Sequence, residues 1–71
     1  MHYIQKGSIV MANITTKELS ALEDQLYYEN LLVKKYRSAS AQCTDSALKA
    51  KCDQIAQKHQ DHFNRLFSYL Q

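Results

Sequence analysis

The chain of 71 residues has no proline, no tryptophan and a single glycine, Gly7. Those absences remove the residues that usually punctuate strands and tight turns, and they point to an all-α chain. Two cysteines, Cys43 and Cys52, are too few for a disulfide framework. With no CxxC pair they favour neither a zinc ribbon nor a redox motif, and both read as small, mostly buried hydrophobes. No apolar run nears the ~20 residues of a membrane span. A long apolar secretory stretch is also missing from the N-terminus, so neither secretion nor a membrane partner is expected, and a cytosolic origin is the default. Net charge is only +2. The one basic cluster, Lys34, Lys35 and Arg37, reads as a solvated helix face, so nucleic acid is not an expected partner.

What is present is strong helical patterning. "TTKE" is a capping box, with Thr15 accepting from the backbone of Glu18 and Glu18 reaching back. Leu19, Leu22, Leu26, Val33 and Tyr36 then recur mostly at steps of three and four, widened by Leu32 and Ala39. The spacing predicts a helix from about Thr16 to Gln42. "CTDS" supplies Thr44 or Asp45 as the next N-cap, with Asp45 at the positive end of the helix dipole. A second stripe of Leu48, Cys52, Ile55, Leu66 and Tyr69, flanked by Ala56, Phe63 and Leu70, predicts a helix from about Ser46 to Leu70. So short a connection forces an antiparallel hairpin over 15–71. Cys43 at the turn and Cys52 along the second helix are offset by ~10 Å, too far for an intrachain bridge. Residues 1–14 form a loose tail. Met11 is the expected physiological start, because Lys6-Gly7-Ser8 can be encoded by a purine run resembling a ribosome-binding site.

Two helices cannot enclose a core, and a chain of this size usually needs a disulfide, a metal or a partner subunit. The expected solution is a homodimer, two hairpins forming a four-helix bundle.

Three polar residues interrupt the apolar seams. Glu29 fills the slot between Leu26 and Val33, while His59 and His62 fill both slots between Ile55 and Leu66. With the turn centred near Thr44, Glu29 and His59 fall at the same level, and His62 one turn away at roughly 4.5 Å. A two-fold axis crossing the middle of antiparallel hairpins gathers Glu29, His59 and His62 of both chains into one layer.

Two readings of that layer stand. In one, carboxylate and imidazole bind Fe, Mn or Zn across the dimer. In the other, they form a hydrogen-bonded polar layer that fixes dimer register, since a buried glutamate requires a partner. Asp61 lies off the seam and reads as a surface charge. Tyr28 and Tyr36 are positioned to bring hydroxyls near the layer, although tyrosine at helical spacing is usually core.

"TTKELSALEDQLYYENLLVKKYRSAS" followed by "CDQIAQKHQDHFNRLFSYL" resembles the small spore-coat-associated proteins of endospore-forming Firmicutes, the spore coat protein F-like group of the ferritin-like superfamily. The likeness covers nearly everything after Met11. It implies a half-ferritin fold completed by dimerisation, with Glu29, His59 and His62 at the ferritin-like ligand positions and His59 standing where a carboxylate belongs. It also implies a sporulation-linked role. The main expectation is a non-enzymatic structural or interaction protein of the spore coat or cytoplasm, a homodimer able to meet other coat proteins. The alternative is a ferritin-like metal-binding protein, with redox activity left open.

Overall fold

A computed structural model describes residues 14–71. It contains two helices, α1 (Thr16–Gln42) and α2 (Ser46–Ser68), and no strand among the described residues. They form the expected antiparallel hairpin; a dimer is not part of the structure. Apart from Ile14, the tail expected over 1–14 lies outside the described residues.

Local chemistry sets the ends of each helix. Thr15 Oγ1 accepts from the Glu18 amide at 3.1 Å, and Thr15 N donates back to Glu18 Oε1 at 3.0 Å, completing the capping box. The Glu18 carboxyl is held below its ordinary pKa chiefly by the hydrogen bond from the Thr15 backbone. Of the two candidate caps after the turn, Asp45 is the one used: its Oδ1 accepts from the Leu48 amide at 2.9 Å. The end of α1 has no basic residue in its last turn. Lys49 supplies that charge from α2, with Nζ donating to Ser40 O at 3.0 Å and Ser40 Oγ at 3.2 Å. This clasp ties the turn to the first helix, and it explains how Ser40 can be buried at 3% exposure.

The seam on α1 runs Leu22, Leu26, Glu29, Val33, Tyr36, Ser40, Cys43, all buried or half-buried. On α2 the facing seam is Cys52, Ala56, His59, Phe63, Leu66, Leu70, with Ala56 fully shielded. That corrects the sequence reading of the second stripe. The helix is turned by about 50° from the expected face, at ~100° per residue. Leu48 and Tyr69 are therefore 56% and 49% exposed, and Ala39 on α1 is exposed too. Ala56, small enough to be enclosed between the helices, is fully shielded on this face. The helix ends at Ser68, two residues before the expected Leu70, with Tyr69 as its cap.

Both cysteines are free and half-buried rather than mostly buried. Lys34, Lys35 and Arg37 are exposed, as a solvated face requires. Neither helix is long and apolar enough to cross a membrane.

Two helices side by side make a slab. The Cα trace measures 48 × 22 × 14 Å with a radius of gyration of 15.8 Å, against about 11 Å for a compact domain of this length. Among the described residues, only Leu26, Val33 and Ala56 are buried apolar residues, and no large side chain is fully enclosed.

Candidate functional site

Glu29 is the middle residue of α1, and the antiparallel turn brings His59 of α2 level with it. Glu29 is 6% exposed. Its Oε1 lies 2.6 Å from His59 Nδ1, and its Oε2 accepts from Gln25 Nε2 at 3.1 Å. His62 Nδ1 stands 3.7 Å from the same Oε2. One ligand atom from each of Glu29, His59 and His62 can be chosen so that all lie within 4.8 Å of one another. The structure therefore brings together the three residues that the sequence singled out.

The electrostatics of Glu29 are a contest between burial and its partners. Burial pushes the carboxyl up. The hydrogen bonds from His59 and Gln25, with the charges of His59 and His62, outweigh it and hold the group below its ordinary pKa. The carboxylate is thus ionised at neutral pH and can only accept, so the short contact places a hydrogen on Nδ1 of His59.

The neighbours divide into those foreseen and those missed. Tyr36 is beside the layer, but it contributes its ring rather than its hydroxyl, stacking on His59 with centroids 6.2 Å apart. Tyr28 is 56% exposed and points away from the seam. Asp61 is an exposed surface charge, as expected, and accepts from Gln57 at 2.9 Å. Gln25 was the residue overlooked. Its position four residues before Glu29 on one helix face is the signal that identifies it.

The two imidazoles are unequally covered. His59 keeps 22% of its side-chain surface accessible and His62 keeps 42%. His62 opens onto a recess of about 250 Å³ lined by Gln25, Glu29, His62, Arg65 and Leu66. The recess therefore marks one broad side of the slab, shared by both helices.

Comparison with known proteins gives one relative at convincing similarity. YuzM, an uncharacterized protein of Bacillus subtilis (strain 168), is 33% identical over 67 residues, spanning 94% of this chain and 83% of the relative. The chain belongs to the YuzM family. No protein-family model matches the chain, and no solved structure does. Since YuzM is itself uncharacterized, its family brings no substrate or partner, and the site must be read from its own geometry. The likeness to spore coat protein F rests on the sequence motifs alone.

A ferritin-type dinuclear centre does not fit these residues. It uses a carboxylate from two helices and a Glu-x-x-His pair from the other two. The layer here offers one carboxylate per chain, with both oxygens facing protein donors, and a His-x-x-His pair. Nitrogen-rich donors of this kind suit a single borderline ion such as Zn.

Proposed function

We propose that this chain is a non-enzymatic structural or interaction protein that works as a helical-hairpin homodimer, its two hairpins closing a four-helix bundle. The observation that carries the reading is the uncovered side of the slab. Around each helix, Tyr28 and Leu32 lie beside Gln25, and Ile55 and Tyr69 lie beside His62, at ~100° per residue. Gln25 and His62 line one recess, so these apolar residues share its side. Tyr28 at 56% and Tyr69 at 49% exposure, with Leu32 and Ile55 only half-buried, leave that side incompletely covered. Stable domains bury such a face against a second layer, and a second copy supplies one of matching length.

Association with the spore coat, and with other coat proteins, is the biological setting that the motif resemblance suggests. The test is sedimentation equilibrium of the untagged protein. Twice the 8.2 kDa chain mass is expected, and Ile55→Glu, placing a charge in the face, is expected to yield monomer. A wild-type monomer at tens of micromolar sinks the reading.

A second reading has its own observation, the convergence of Glu29, His59 and His62 within 4.8 Å. It makes the protein a metal-binding bundle for Fe, Mn or Zn. Elemental analysis after purification without an affinity tag separates the two, since a purely structural layer retains no stoichiometric metal and its melting is indifferent to chelator.

A further inference from the structure

The metal reading leaves open which atoms act as ligands, and the hydrogen bonds decide it. Glu29 has little left to give: Oε1 is held by His59, and Oε2 by Gln25 with His62 close by. His59 turns Nδ1 to that carboxylate at 2.6 Å, whereas His62 Nδ1 stands 3.7 Å from it, too far for a hydrogen bond, and so keeps its nitrogens uncommitted. An imidazole whose Nδ1–H is committed to a carboxylate carries its lone pair on Nε2. This is the carboxylate–histidine pairing that orients metal-binding imidazoles and raises their basicity.

Each chain then offers two nitrogen donors at i and i+3, which is half of a closed tetrahedral set. His62 faces the recess, on the side where the apolar residues await a second layer. We infer that a single zinc-class divalent ion is shared between two copies, bound by His59 and His62 of each, with Glu29 as the positioning residue that holds the His59 ring. The site is incomplete in one chain, and this inference rests on the homodimer proposed above. Arg65 also lines the recess. Its fixed positive charge opposes an ion bound there, so Arg65→Gln is expected to tighten binding.

The ion and the dimer can be tested apart. Full-length protein, stripped with chelator, is titrated with Co²⁺ as a spectroscopic stand-in for Zn²⁺ while its mass is followed by sedimentation. The expected result is one Co²⁺ per two chains, with the strong visible absorption of a four-coordinate ion. His62→Gln, at a half-exposed position, should abolish that absorption while circular dichroism shows the helices intact. Glu29→Gln keeps a hydrogen-bond acceptor and should preserve spectrum and stoichiometry with 10–100-fold weaker binding, the usual effect of disturbing a partner behind the ligands. If Glu29→Gln abolishes the absorption as completely as His62→Gln, Glu29 is a ligand and the assignment is wrong. One ion per chain, or no uptake by a protein that remains dimeric, overturns the shared site and leaves the dimer standing. A monomer with and without Co²⁺ overturns both.

Discussion

The hairpin buries a polar side chain at two places along one seam, and it treats them differently. Near the turn, Ser40 is 3% exposed, and Lys49 reaches across from α2 to its carbonyl and hydroxyl. At the midpoint, Glu29 is 6% exposed and meets His59 and His62. The turn contact is closed in one chain: a hydroxyl, a carbonyl and one ammonium group, with no ligand nitrogen in the set. The midpoint contact holds an ionised group, two imidazoles with spare nitrogens, and an opening to solvent through the recess. Satisfying a buried hydroxyl needs one donor, whereas this layer carries more donor capacity than hydrogen bonding requires. That excess is the chemical difference between the layer and the clasp.

Removing the carboxylate should produce the largest effect. Glu29→Ala strands His59 and Gln25 and costs about 2 kcal/mol, the loss of hydrogen bonds to a charged group, readable in urea melts. Glu29→Leu is expected to be neutral or stabilising if the layer serves only register, because apolar replacements of buried ionic groups often do no harm. A large loss of stability in Glu29→Leu would break the comparison, leaving the layer needed for folding as much as the clasp.

The same group gives a pH signature. Its folded pKa lies below the ordinary glutamate value of 4.5. The stabilisation is therefore fully present above that pH and is lost as pH falls through the lower folded value. Glu18 shifts in the same direction, so the acid limbs of Glu29→Gln and Glu18→Gln must be compared with wild type. Most of the Glu29 part should vanish only in the first.

Much of this was legible beforehand because it follows from counting. The capping box at Thr15, the boundaries of α1 and the level match between Glu29 and His59 need only helical rise and a short turn. The rotation of α2 was not legible. Its sequence carries two overlapping seven-residue patterns, Leu48–Ile55–His62–Tyr69 and Ala56–Phe63–Leu70, and hydrophobicity prefers neither. Which one faces α1 is settled only when the helices dock, where Ala56 is fully shielded and Leu48 and Tyr69 are left exposed. Lys49 was missed for a related reason: its partner is a main-chain carbonyl nine residues away, which no side-chain pattern records.

Breaking the clasp should cost less than breaking the layer. Lys49→Met keeps the aliphatic stem and removes the ammonium, so it should lose about 1–2 kcal/mol through the contacts to Ser40. Because the clasp lies at one end, this variant should leave metal uptake and dimer mass unchanged. A Lys49→Met protein that lost Co²⁺ would show that the turn sets the register of the layer.

The smallest effect belongs to the start of α2. Asp45 Oδ1 caps the Leu48 amide at 2.9 Å, and replacing a good N-cap with alanine typically costs about 1 kcal/mol. Asp45→Asn should recover most of that, since the amide oxygen caps nearly as well and only the charge at the helix dipole is lost. Hydrogen exchange localises the loss: faster exchange in Asp45→Ala should be confined to the first turn of α2, with the amides around His59 and His62 unchanged. Loss of protection at the midpoint as well would mean that the turn and the layer unfold as one unit, and the contrast between them would then be chemical only, without a counterpart in stability.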